Sequence, residues 1–447
     1  MLDAEIEQID GFIAKKEDNP FIVLFEKNTD AFEGLSDKEK SAYKEKNRAI
    51  VFNEIIPAHE KIKTELEKLR GSRSSQKSVY YYPGGKEYYA ANARIRTSSE
   101  LSPEEIFEYL TAATKETVLK MVDLYRQDPT KIRGTPVTGF NSAEEVLAYL
   151  KNHTQNFPAG PDVEYELSYL DPSVANPSVI AYYLICPVDD IRDNVIRINR
   201  DNTGGDITAL YSTLSHEGFA GHLYQCTYYY GKNPNPIRHE ISTLGYLEGW
   251  AQYVIRDLMK NSGLDEASAA SNYLNTYSCY AVQAAVDVAV NGLGYDVPQL
   301  VEWSESAGLG FGEDTLQELY NAVITMPTRI LPYGFGQMKF LEYRERMIAS
   351  LGDSFDEVEF HRQLLDHSPH PFEVIEEDLD QYCASKGVTF TDDFTFFASE
   401  TITVDQNSKG ALLMKYLPFI VIGVLLVILL LIFLIIRGIV KLFKKKS

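Results

Sequence analysis

Cysteine is scarce in this chain. Four thiols, Cys186, Cys226, Cys279 and Cys383, are scattered over 447 residues with no C-x-x-C pair. That excludes a disulfide-stapled domain and a cysteine-based zinc ribbon, and leaves free buried thiols as the expectation. Positive charge is also in deficit: 43 Lys and Arg face 64 Asp and Glu, a formal charge of −21 with a pI near 4.9. A surface of that sign repels a phosphate backbone, so nucleic acid is not an expected partner and peptides or small molecules fit better. No internal repeat of solenoid length occurs, and the opening MLDAEIEQIDGFIAKKEDNP has no apolar core of a secretory signal. With 45% hydrophobic and 12% aromatic residues, the chain can bury one large core or two smaller ones.

Long apolar runs are absent except for one. LPFIVIGVLLVILLLIFLII, Leu417 to Ile436, carries no charge and is followed by RGIVKLFKKKS. At about 1.5 Å per residue such a run matches a hydrocarbon core of about 30 Å, which predicts one C-terminal transmembrane helix and the lipid bilayer as a partner. The basic flank predicts a cytoplasmic tail and an extracellular main part on a single-pass cell-membrane protein. Export then requires a signal upstream of the first residue given; the competing topology is a tail anchor with the folded part in the cytoplasm.

Elsewhere the patterning is mostly helical. Residues 36–70, 102–127 and 142–153 each begin at a serine cap and continue with an amphipathic or Glu/Lys-spaced pattern. Alternating patterns occur in VEYELSYL (163–170), VIAYYLI (179–185) and NVIRINR (194–200), which read as strands leading into the next helix. The expected organisation is an N-terminal helical segment at 1–78, a catalytic domain at 79–387, a stalk at 388–416, the membrane helix at 417–436 and a basic tail at 437–447.

That next helix contains SHEGFAGHLYQ, residues 215–225. In an H-E-x-x-H zinc helix the histidines stand at i and i+4, on one face. Here His222 follows His216 by six positions, about 240° around a regular helix. A regular helix cannot bring both to one ion. A helix interrupted between them can, and Gly218 and Gly221 are expected to ease that turn by accepting positive φ.

HEGFAGHLYQ resembles the H-E-x-x-P-G-H-x-x-Q block of bacterial domain-of-unknown-function family 885, similar in pattern to the zinc peptidases that include angiotensin-converting enzyme. His216, Glu217, Gly221, His222 and Gln225 match, and Ala220 stands where the family has proline. A second block, E-G-W-x-x-Y, is present as Glu248, Gly249, Trp250 and Tyr253. PYGFGQMKFLEYRERM and FHRQLLDHSPHPFEVIEEDL match later blocks through Tyr333, Gly336, Arg344, Phe360 and His361. Two departures stand out: Pro327-Thr328-Arg329 replaces Pro-Gly-Gln, and Asn291 stands where histidine is frequent.

The resemblance implies a mainly α zinc-peptidase fold with a small β-sheet beside the metal helix. It implies Zn2+ held by His216, His222 and Glu248, with Glu217 as general base for hydrolysis of short peptides. Tyr333 is the expected oxyanion donor, His361 its alternative or second, and Gln225, Arg329 and Arg344 are expected to bind substrate. The alternative reading is a membrane-displayed binding protein that keeps the fold without turnover.

Overall fold

A computed structural model describes residues 2–71, 77–171, 179–187, 189–199, 207–232, 234–239, 241, 243–366 and 369–417. It is mainly helical with one small sheet. Four helices come first: α1 (Leu2–Ala14), α2 (Pro20–Ala31), α3 (Asp37–Ile50) and α4 (Ile56–Lys68). Ser36 and Glu39 form a capping box at the start of α3, and a π-helical stretch, Val51–Ile55, joins it to α4. These helices pack on one another around a small separate core of Ile22, Val51 and Ile56.

The main body follows. It contains α5 (Gly85–Thr97), α6 (Pro103–Gln127) and α7 (Ala143–Lys151), then strands β1 (Glu166–Tyr169), β2 (Ala181–Leu184) and β3 (Val195–Ile198). Next come α8 (Ile207–Glu217), α9 (His222–Tyr230), α10 (Leu244–Tyr253), α11 (Ile255–Lys260) and α12 (Glu266–Asp287). The last elements are α13 (Val297–Ser306), α14 (Glu313–Thr325), α15 (Leu331–Leu351), α16 (Glu357–Asp366) and α17 (Phe372–Ser385). Ser102 and Ser142 cap α6 and α7 as their sequence positions predict.

The sheet has the order β1-β3-β2, with β1 parallel and β2 antiparallel to β3. The strands are shorter than their alternating patterns, four residues each. Ile196 and Ile198 of the central strand are fully buried. Strand β2 is an edge, and its free side lies against α8.

One continuous hydrophobic core runs from Tyr89 to Ala411. The expected stalk is part of it. Phe390, Phe396, Phe397 and Val404 are buried, Ser399 donates to Glu345 (2.7 Å), and Ser408 donates to Asp128 (2.6 Å). The aromatic alternation of VTFTDDFTFFASE therefore lays residues 388–411 on the main body. All four cysteines are free, three buried and Cys279 exposed. Among the described residues no helix is long and apolar enough to cross a membrane. The apolar run lies, beyond Leu417, outside the described residues.

Candidate metal centre

Helix α8 carries its chemistry at its C-terminal end, where His216 is the penultimate residue and Glu217 the last. After residues 218–221, α9 opens on His222. The helix is thus interrupted between the histidines, but for a different reason from the one expected. Neither Gly218 nor Gly221 has a positive φ. They are needed for closeness: a Cβ on Gly221 would lie 1.8 Å from the His216 carbonyl oxygen, and one on Gly218 2.4 Å from Leu147 Cδ1. Any larger residue would push the two histidines apart. The loop is held by Trp250, whose indole N–H donates to the Ala220 carbonyl (2.9 Å).

Helix α10 brings the third group. It crosses α15 with backbones in contact, so that a Cβ on Gly249 would lie 2.5 Å from Gly336 Cα and one on Gly336 2.1 Å from the Gly245 oxygen. That crossing sets Glu248 and Tyr333 on the same side as the histidines. Glu248 Oε2 is 3.3 Å from His216 Nε2 and 3.2 Å from His222 Nε2. The two imidazole rings stand nearly perpendicular, 87° apart, with centroids at 4.6 Å.

This spacing suits a zinc ion. Ligands at about 2.0–2.1 Å on a tetrahedron stand roughly 3.3–3.4 Å from each other, the separation seen here. The electrostatics of the three groups are strongly linked. Burial opposes charge on His222, but the Glu248 carboxylate outweighs it and pushes the imidazole up to about 9. Burial likewise opposes ionisation of Glu248, yet the paired imidazoles hold it well below the usual carboxylate range. The Nδ1 atom of His216 is buried with no hydrogen-bond partner among the described residues.

Glu217 stands beside this cluster. One of its oxygens accepts the Tyr183 N–H of the β2 edge (2.9 Å). Two cavities flank the residue, of about 330 and 270 Å³, and both are lined by His216, Glu217 and Tyr333. The Tyr333 ring stacks on His216 (centroids 6.0 Å) and on Tyr280 (5.5 Å). Burial and the nearby Glu248 carboxylate raise its phenol far above the ordinary range, so it stays a donor.

The model of a bacterial protein family of unknown function, DUF885, matches residues 1–379. The chain belongs to the DUF885 family. Its fold is similar to that of a candidate lipoprotein from Colwellia psychrerythraea at 22% identity, with a TM-score of 0.69, covering 86% of this chain and 70% of that one. It is also similar to a candidate lipoprotein of unknown function from Shewanella oneidensis at 14% identity and a TM-score of 0.54, covering 83% and 72%. No curated protein matches the chain.

In this DUF885 chain three expected site residues lie away from the cavities. His361 is fully buried, donates from Nδ1 to the Asn156 carbonyl (2.7 Å), hydrogen-bonds the Tyr253 hydroxyl through Nε2 (3.0 Å), and stacks on Phe157. It therefore holds helices together and does not reach an oxyanion. Arg344 is 8% exposed and grips Glu357 through two 2.7 Å bonds, so its guanidinium is taken. Gln225, 1% exposed, lines neither cavity. Arg329 does line the larger one. Missed at the sequence level were the Tyr183 backbone, Gln252 and Tyr280, which line these cavities through contacts that no spacing rule reports.

Proposed function

We propose that the chain is a zinc-dependent peptidase acting on short peptides. The observation that carries this reading is the convergence of His216, His222 and Glu248, whose ligand atoms all lie within 4.8 Å of one another, beside a carboxylate open to a cavity. A zinc ion held by these three supplies Lewis acidity, the means of making water a nucleophile near neutral pH and of polarising a carbonyl. The remaining work belongs to the chain. Glu217, oriented by the Tyr183 N–H, takes a proton from water and returns it to the departing amine. Tyr333 donates to the carbonyl oxygen as it gains charge. The two cavities flanking Glu217 hold the peptide on either side.

The same reading puts the enzyme at a membrane through the apolar run at residues 417–436, with the basic tail inside and the peptidase outside. The description of both structural neighbours as lipoproteins supports attachment at a membrane face. A binding protein without turnover is disfavoured by Glu217, since capture alone uses no general base beside the ligands. Purified protein loaded with zinc and offered a peptide library, with cleavage followed by mass spectrometry, tests the activity. Absence of zinc at one ion per chain, or of any cleavage that a chelator abolishes, refutes it.

A further inference from the structure

The larger cavity has a cationic wall. Arg329 lines it together with His216, Glu217, Tyr280 and Tyr333. Arg329 is exposed; its guanidinium donates to Met326 Sδ (3.4 Å), and among the described residues no carboxylate forms an ion pair with it. In a chain with 64 acidic residues against 43 basic ones, an arginine left without an acid partner beside a cavity is available to an anionic ligand.

Its position is built. Thr328, the preceding residue, has φ +63, a left-handed conformation that a β-branched side chain adopts only under constraint. The constraint is visible: the Thr328 N–H donates to Asp287 Oδ2 (2.7 Å), and Asn92 Nδ2 donates to Thr328 Oγ1 (2.8 Å). Asp287 is itself held by Asn291 Nδ2 (2.9 Å) and by the Tyr89 hydroxyl (3.2 Å). The two departures from the family pattern, at Asn291 and at Thr328-Arg329, therefore meet on one buried carboxylate. The segment so fixed leads straight into α15 and Tyr333, and the Tyr333 ring, stacked on Tyr280 and on His216, lines the same cavity as the arginine.

We propose that Arg329 receives the free α-carboxylate of a short peptide, so that the site removes residues from the C-terminal end. This rests on the peptidase reading. A carboxylate matches the planar guanidinium fork, and a cavity of about 330 Å³ suits the end of a peptide and not a folded chain. In the step itself one water is consumed: its oxygen joins the carbonyl carbon, the C–N bond breaks, and the proton passes through Glu217 to the amine of the departing piece. That piece leaves with its carboxylate still facing Arg329.

The experiment uses the full chain in detergent and an N-acetylated peptide pool with free C termini, set against the same pool amidated. Amidation lowers kcat/KM by about 10- to 100-fold, mostly through KM, the range expected for losing a charge-assisted pair. R329Q brings the acid-to-amide ratio close to one, and R329K restores part of it. Equal cutting of both pools by the unmodified protein, or an undiminished ratio in R329Q, overturns the proposal while leaving the peptidase reading intact. A side-chain carboxylate offers the same chemistry, so an amidated pool ending in Glu is the third arm; if it is cut as well as the free acids, the α-carboxylate assignment is wrong. If nothing is cut, the peptidase reading fails, and calorimetric binding of the two pools decides. Preference for free acids that R329Q removes supports the proposal, and equal binding overturns it.

Discussion

Among the described residues two clusters of histidine and carboxylate bring three possible metal ligands together: His216, His222 and Glu248 in one, Asp257, Glu357 and His361 in the other. The first looks onto the two cavities described above, and the second lines neither. In the second the cations are already present. Arg256 pairs with Asp257 (2.7 Å) and with Glu400, while Arg344 pairs with Glu357. The second cluster is a closed ion-pair network that ties α11, α15, α16 and the C-terminal segment together. In the first, two imidazoles face one carboxylate, and among the described residues no arginine or lysine pairs with it. Proximity of ligand types is thus a weak criterion; what separates a site from a strut is whether its charge is already balanced and whether anything can enter.

The sharpest way to break this comparison is to remove one group from each cluster, and Glu217 beside the first, and read both metal and turnover. Glu217→Gln should keep one zinc per chain while lowering turnover by about 100-fold or more, the scale of general-base catalysis. His222→Ala should lose the zinc. His361→Ala, in the second cluster, should keep it. Zinc analysis and peptide turnover on the three variants check this, and unchanged zinc in His222→Ala would end the metal assignment.

Stability should respond in the opposite sense. Burial disfavours charge on Glu357, but Arg344 beside it holds the carboxyl down to about 2. Glu357→Gln removes the two-bond partner of buried Arg344 and leaves it Glu345 (3.3 Å) and Ser399 (2.7 Å), which costs about 1–3 kcal/mol. The expected result in denaturant titration is a measurable loss of stability with zinc content unchanged. A loss of zinc instead would mean that the two clusters are not independent.

Much of the first cluster was legible in residues 215–225, because an adjacent His-Glu pair with glycines before the next histidine admits few geometries other than an interrupted helix. The reason for the glycines was not legible: it is contact with Leu147 and with the chain's own carbonyls, not backbone handedness. The second cluster misled. Arg344 and His361 lie in sequence blocks that look catalytic, and nothing local reveals that Glu357 and Tyr253 already occupy them. The reading of residues 388–416 as a stalk failed in the same way, since burial of Phe396 and Phe397 depends on a distant surface. Helix starts at Ser36, Ser102 and Ser142 were readable because a cap is a local device.

A pH experiment on metal-free protein sharpens the contrast further. His222 is pushed up to about 9 in the folded chain from an unfolded value of about 6.5. The folded state therefore binds the extra proton, and the stabilisation is fully present below about pH 6.5 and is lost as pH rises through 9. Zinc competes with that proton, so zinc uptake should release protons across this window and affinity should climb with pH. Isothermal calorimetry in buffers of different ionisation enthalpy measures the protons released. No release between pH 6.5 and 9 would show that His222 is not a ligand.

The smallest expected effect is at Asp287, the buried carboxylate beneath Arg329. Burial raises its pKa to about 7, against the bonds from Asn291, Thr328 and Tyr89 that favour its charged form. Its unfolded value is about 3.9. Here the folded state holds the proton that the unfolded state has given up, so stability falls as pH rises from about 4 and levels off above about 7, the reverse of a salt-bridged acid. Asp287→Asn cannot ionise and should remove that slope, at a cost of about 1–2 kcal/mol for the weakened bond to the Thr328 N–H. Thermal unfolding of the two proteins from pH 4 to pH 8 gives the two slopes directly. The same variant loosens the left-handed turn at Thr328, so it should also reduce the preference for free over amidated peptides without changing zinc content. If the slope disappears while that preference is untouched, Asp287 stabilises the fold but does not position Arg329.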